Sequence, residues 1–506
     1  MDARLRARLQ GSTVGSVRAG VVIAALLAAA ALLACVAPAV RAAEPAAGTP
    51  NSSPVAVAAA SFGSYVWSGP LLYGSSDSAT THLAKGPSGS IYSVTDVGVT
   101  WSPDHCVMSV SRLRASDGHA IWRKAYAGPG VWASATRVAS APNGDVVVLG
   151  YERETADAGA TWFVRRYRAS TGRVLWSRTR SSGSVAGNPT DTIAYGLAVD
   201  GAGSVYVAGW THDGEDSPGV AIAAKYSATG RLSWTRSLPS GAGGNLNGIA
   251  VDAHGNSYVT GCVVTDTSTP TIAVGVLARL SVAGRVVWSK PIGSNGFFQT
   301  TQPIIRGGSL FVRGLRWVED PPNATLGWPL VAKVATATGK PAWLTTLDAV
   351  PGTMQQPQGF AVDACGNPVI GGASQSVVLP GEPGVTYMGW LYKLDGRTGT
   401  PAWHQWFFND LGADGYSGYI DDVAVDGQGR IYASGGWAAD ATTTGTDGIV
   451  ARYDAVGGSR KLWRIIGDAT GWGNECRSLL VAGGVFVGGS VEMSTGQTSF
   501  IQRLKP

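Results

Sequence analysis

Five side chains with ligand-holding or proton-transfer chemistry recur at a common place in a repeated pattern. His82, Arg137, Asp421, Asp422 and Glu475 each stand where a short apolar run begins, as do the polar residues Tyr195, Asn247 and Gln358. An imidazole, a guanidinium and several carboxyls gathered at one point would bind a small polar ligand, and the competing reading is a merely solvated polar channel. They are scattered over some 400 residues, so only a fold that brings distant segments to one axis can gather them. Tryptophan is the second resource, with 18 in the chain. Trp101, Trp162, Trp210, Trp317, Trp328, Trp437 and Trp472 fall in stretches read as loops sharing one face. There, exposed indoles would stack on sugar rings or anchor a protein partner, and the competing reading folds them into small loop cores. Asp104-His105-Cys106 sets a thiol beside an imidazole, the ingredients of a reactive cysteine. No GxSxG, HExxH or phosphate loop occurs, and the glycine-rich stretch Gly241 to Gly248 leads into a strand rather than a helix.

The elements that must position these residues come from an internal repeat. AVDGAGSVYVAGW (198–210) is followed by AVDAHGNSYVTGC (250–262), and each leads through a strand carrying one basic residue to a glycine turn and a tryptophan. Aligned on Trp122, Trp176, Trp234, Trp288, Trp343, Trp403 and Trp463, the spacings are 54, 58, 54, 55, 60 and 60 residues. Each unit holds four short strands separated by tight Gly-containing turns, the content of one β-propeller blade. The last unit ends at Pro506 without a tryptophan strand, while FGSYVW (62–67) stands alone at the other end. Joining the two supplies Trp67 as the eighth tryptophan and predicts an all-β, eight-bladed propeller over 61–506, closed by its N-terminal strand. Such closure also removes a free sheet edge.

One tryptophan per blade is expected to wedge between neighbouring sheets, its N–H meeting a carbonyl. Burying an indole removes roughly 150–250 Å² from water, worth about 4–6 kcal/mol as an upper bound. The stretch Asp395-Gly396-Arg397-Thr398-Gly399-Thr400-Pro401-Ala402-Trp403 resembles the tryptophan-docking motif of eight-bladed PQQ-dependent quinoprotein dehydrogenases. The AVDxxGxxYVxG half is similar to the SBBP-type β-propeller repeats of secreted bacterial proteins. Together the two resemblances cover nearly all of residues 61–506 and imply the propeller fold. The quinoprotein enzymes also imply PQQ held with calcium under a ring of adjacent cysteines. This chain has no adjacent cysteines, and none of that family's catalytic residues can be placed on it. No cofactor or metal is therefore expected; calcium at the repeated Asp and PQQ on the axis stand as the alternatives to test.

The repeated first-strand Asp (Asp200, Asp252, Asp363, Asp426) is expected to cap the tight turn by accepting its backbone amides. The basic residue on each third strand is expected to lay its stem on the sheet and carry its charge to solvent or a carboxylate. Cys106 and Cys476 fall in blades that become neighbours when the ring closes, and a disulfide between them would staple the closure.

Glycine supplies 70 of 506 residues, about twice the usual share, and charged residues only 14%. Residues 1–42 have the form of a secretory signal: Arg4, Arg6, Arg8 and Arg18 precede an apolar run from Val21 to Val36, and Val40-Arg41-Ala42 offers a cleavage site. A lipobox-like Leu32-Leu33-Ala34-Cys35 leaves lipid attachment at Cys35 as a second route. Residues 43–60 are expected to be a flexible linker. Residues 1–42 hold five Arg and one Asp, which leaves 39 − 5 = 34 basic and 34 − 1 = 33 acidic residues, a net of +1. A field that weak argues against nucleic acid as a partner. The expected protein is a secreted or envelope-associated monomer without a transmembrane domain, binding a glycan or an extracellular protein as a non-enzymatic scaffold. The alternative is a propeller enzyme, a PQQ-like oxidoreductase or a polysaccharide lyase or hydrolase, working at the channel mouth. A cluster of buried carboxyls or histidine with displaced pKa values on the axis is the feature that the enzyme requires.

Overall fold

The computed structural model describes residues 65–70, 78–97, 106–155, 157–181, 184–185, 188–212, 219–238, 243–266, 272–293, 297–300, 303–320, 324–347, 353–376, 387–407, 418–437, 447–466, 474–493 and 496–504. The signal segment, Cys35 and the linker lie outside them. The described residues form strands and turns, with no helix long and apolar enough to cross a membrane.

The strands group into eight four-stranded antiparallel blades arranged in a ring: residues 78–126, 132–180, 191–237, 243–292, 297–346, 353–406, 418–466, and 474–504 with 65–70. The strand Tyr65–Pro70 pairs antiparallel with Gly496–Leu504, so the eighth blade takes its outermost strand from the other end of the chain. Blades 1 and 8 meet through Ile91, Leu113, Phe486 and Ile501 in one apolar cluster, and the Leu83 amide donates to Ser478 Oγ at 3.2 Å. Blades 5 and 6 are further joined by a parallel pairing of Gly327 with Met354.

Every inner strand is covered on both faces by neighbouring blades, which is why runs such as Ser90–Val97 are buried at every position. The outermost strands behave differently. In Val174–Arg180 and Leu232–Ser237 the tryptophan is the single buried residue. Its indole N–H donates to the turn carbonyl of the next blade: Trp122 to Ala169 (2.7 Å), Trp176 to Ala228 (3.0 Å), Trp234 to Val282 (2.9 Å), Trp288 to Thr336 (3.1 Å), Trp343 to Gly396 (3.2 Å) and Trp403 to Ala455 (3.3 Å). The ring lies flat on a glycine of that same turn. At Gly230, where φ is +82°, a Cβ would sit 2.7 Å from the Trp176 ring, so that turn must be glycine. The side chains of Trp67 and Trp463 lie outside the described residues.

The third-strand cations share these turns. Arg166 donates to Gly203 and Ala228 carbonyls and to Asp145 at 3.2 Å; Lys333 reaches Gly396 O and Lys393 reaches Ala455 O. Lys225 and Lys393 also pair with Asp200 (3.8 Å) and Asp363 (3.2 Å). Arg166, Lys225 and Lys393 are buried, so their charges end in the blade interface rather than in solvent. The repeated Asp accepts the turn amides, as at Asp200 with Ala202 and Ser204. Asp200 also accepts from the buried Tyr206 hydroxyl.

The Cys106–Cys476 disulfide is not formed; both are free, buried thiols. The reason is their position on different seams. Cys106 is bonded through its backbone to Val131 and Ala133 of blade 2, while Cys476 packs with Tyr432 and Val450 of blade 7. Burial pushes both thiols well above their ordinary pKa, so Cys106 is no reactive thiolate.

Candidate functional site

The first strands line the axis, and they share one irregularity. In seven blades the pairing of first with second strand slips by one residue at mid-strand, leaving Thr81, Thr136, Tyr195, Asn247, Gln358, Asp421 and Arg477 as bulges. In blade 5 the strand is interrupted between Phe297–Thr300 and Ile304–Arg306 at the same level. A bulge turns one carbonyl toward the second strand, and in six of the seven bulged blades that strand answers with glycine. A Cβ at Gly150, Gly209, Gly261, Gly372, Gly435 or Gly489 would fall on the carbonyl of Ser134, Ile193, Asn245, Gln356, Tyr419 or Glu475. The glycine of each VYVAG-type strand therefore exists to admit the bulge.

This ring of bulges places the polar residues halfway along the channel, at its waist rather than at its mouth. Arg137 Nη1 lies 3.1 Å from His82 Nε2 and donates to Thr136 O at 2.7 Å. Asp422 accepts from the amides of Val423 (2.8 Å) and Leu479 (2.9 Å), and Glu475 pairs with Arg477. Arg313, which nothing in the sequence marked, comes from a second strand. It sits opposite the interruption in blade 5 and donates to the Pro357 carbonyl of blade 6. Its signal was a blade whose first strand lacked the usual pattern. Side chains from blades 1, 2, 5, 7 and 8 and a carbonyl from blade 6 thus meet at one level.

The electrostatics follow from enclosure: each group keeps some surface open to the channel but is surrounded by protein with little bulk water. Burial, helped by Arg137, lowers His82 to about 3, so its imidazole is neutral and can accept from Arg137. Burial raises Asp422 to about 6 against the pull of its two amides, Arg313 and Arg137. Asp421 is pushed well above its ordinary value by burial and then by Glu475. Burial and the like charge of Arg137 lower Arg313 to about 10, with Asp422 opposing. Nearby, buried Asp96 is raised to about 6 although it accepts from Ser134 Oγ (2.6 Å) and the Ala135 amide (3.1 Å).

These shifts set opposing pH dependences. An acid with a raised folded-state pKa stabilises the fold in its protonated form, an advantage full below pH ~4 and lost as pH rises toward 6. A histidine with a lowered folded-state pKa is destabilising once charged in the unfolded chain, so stability falls as pH drops from about 6.5 toward 3. Asp96→Asn is expected to raise stability at pH 7.5 by up to ~3 kcal/mol, two pKa steps' worth, and to change nothing at pH 4. His82→Gln should instead flatten the loss below pH 6. Urea midpoints at pH 4, 5.5 and 7.5 check both. An Asp96→Asn chain equally weakened at every pH would mean that the carboxylate's hydrogen bonds outweigh its burial.

Of the seven candidate rim tryptophans, four have described side chains, and none of these four is fully exposed. Trp162 is fully buried: it stands inside the strand Thr161–Tyr167, facing the seam between blades 2 and 3, and a strand there has no open face. Trp210, Trp328 and Trp437 are half-buried, against His212 (5.2 Å between rings), under the Arg316 guanidinium (5.6 Å), and on the blade 7 core. Trp101, Trp472 and the side chain of Trp317 lie outside the described residues. Cysteines 106, 262, 365 and 476 are separate thiols, and among the described residues no three His, Cys, Asp or Glu converge as metal ligands.

Residues 185–214 match the family model of the SBBP β-propeller repeat. No curated protein matches the chain. Among solved structures, the polysaccharide lyase Uly1 aligns at 11% identity and TM-score 0.43, covering 86% of this chain and 91% of that one. The β-propeller domain of the Trilobed protease from Pyrococcus furiosus aligns at 9% and 0.40 (73% and 93% covered), and the Synechocystis apocarotenoid oxygenase at 10% and 0.39 (77% and 93%).

Proposed function

We propose that the protein is an exported, non-enzymatic binding propeller at the cell envelope, which holds the end of a glycan at the waist of its axial channel. The observation that supports this is the meeting of His82, Arg137, Arg313, Asp421, Asp422 and Glu475 at one level from blades far apart in sequence. Donors and acceptors arranged around a narrow axis suit a ligand with hydroxyls on every side. The half-buried tryptophans leave the rim a lesser role.

One observation favours a second reading, a hydrolase or lyase using the same waist. Asp421 lies near enough to Glu475 for that carboxyl to raise it further, and two neighbouring carboxyls of unlike environment are the pairing that general acid–base chemistry uses. A thermal-shift screen of the full chain against cell-wall and plant glycans, calcium, and PQQ with calcium separates the readings, because a native-state ligand raises the melting point by mass action. A glycan that raises the melting temperature and is recovered intact supports binding. Release of shortened or unsaturated products makes the protein an enzyme, and a shift with PQQ alone would make it an oxidoreductase. No shift with any glycan would sink the glycan reading and leave a protein partner.

A further inference from the structure

The waist is electrically lopsided. Acids stand on the side of blades 7 and 8, where Asp421, Asp422 and Glu475 lie, and Glu475 is already matched by Arg477. Arg137 of blade 2 and Arg313 of blade 5 lie closely enough for Arg137 to repel the charge on Arg313, and both attract Asp422. Arg313 is the telling residue. Among the described residues it makes no ion pair, and its hydrogen bond goes to a neutral carbonyl, that of Pro357. Asp422 acts on both guanidinium charges at once, and an enclosed surplus of positive charge is costly unless something anionic joins it. The planar fork of Arg313 is matched by a carboxylate.

The facing wall narrows what else the ligand carries. Asp422 already takes two backbone amides, Glu475 is paired, and burial and then Glu475 disfavour a charge on Asp421. That wall is a poor seat for an ammonium group. Hydroxyls fit it better.

Resting on the axial-site reading above, we infer that the ligand is a sugar acid, its carboxylate seated at Arg313 beside Arg137 and its hydroxyls turned to Asp421, Asp422 and Glu475. Arg313 then determines specificity for charged over neutral sugars.

Calorimetric titration of the full chain with D-glucuronate, D-galacturonate, D-glucose, D-galactose, glycine and inorganic phosphate, the sugars also as short oligomers, tests this. A uronate is expected to bind roughly ten- to a hundredfold tighter than its neutral counterpart, the worth of a charge-assisted hydrogen bond. Arg313→Gln should abolish that preference. Arg313→Lys should retain part of it. Because Arg313→Gln removes one of two mutually repelling enclosed charges, its melting temperature should not fall, which shows that the variant is folded. Equal binding of uronate and neutral sugar would overturn the sugar-acid assignment and leave the axial glycan site standing. Preference for phosphate or glycine would overturn the assignment in favour of that ligand. No binding of any sugar, monomer or oligomer, would overturn both.

Discussion

A chain lacking residues 61–70 is expected to lose the single cooperative unfolding transition of the ring and to fall in stability by more than any point substitution, beyond ~5 kcal/mol. The deletion removes Tyr65–Pro70, whose backbone pairs with Phe500, Ile501, Gln502, Arg503 and Leu504. Phe500, Ile501 and Leu504 are buried, and Ile501 belongs to the cluster joining blade 8 to blade 1. Without that strand, Gly496–Leu504 becomes an open edge with unpaired amides and carbonyls in the middle of an apolar seam, a template for self-association. Denaturant unfolding followed by tryptophan fluorescence and circular dichroism, with light scattering at low denaturant, reads all three effects. Coincident transitions at an unchanged midpoint would show that blades 8 and 1 hold together without the strand.

The second large effect is expected at Trp176. Its indole is buried, lies against the Gly230 turn of blade 3, stacks near Tyr226 at 6.3 Å between ring centres, and donates to Ala228 O. Trp176→Ala opens a cavity between blades 2 and 3 and should cost about 3–5 kcal/mol, the range for large aromatic truncations. Gly230→Ala attacks the same contact from the other side, since its Cβ would meet the ring and its φ of +82° is strained for any other residue. The two changes should be less than additive, because each disrupts one shared contact. Urea midpoints of the two single variants and the double variant decide it. A loss below about 1 kcal/mol for Trp176→Ala would mean that the blades are held mainly by their inner strands.

The discriminating feature that the sequence could only pose as a question, displaced carboxyls and a histidine on the axis, is present in His82, Asp421 and Asp422. It raises the standing of the catalytic reading without replacing the binding one, because the same enclosure that shifts these groups also stitches the first strands together through Arg137, Asp422 and Ser478. Product analysis, rather than the shifts themselves, separates the two.

The blades, their number and their tryptophan docking were legible because each is a local pattern repeated: a turn glycine, an apolar alternation and an indole at a near-constant interval. Neighbouring units see one another through these repeats, so a one-dimensional pattern is enough to specify a ring. The bulge was legible too, in the VYVAG glycine, once one asks why a buried strand should lack a side chain. Other features depended on closure. Cys106 and Cys476 belong to adjacent blades but face opposite seams, and Trp162 sits where a blade has no open face; a strand's two faces look alike in sequence when both are buried. The waist is the strongest case. Which side chains meet there depends on the level at which eight strands slip around a common axis, and Arg313 enters from a second strand only because its own first strand is interrupted. Repetition along the chain determined the frame; the site arises where that repetition breaks, and only the closed ring brings the breaks together.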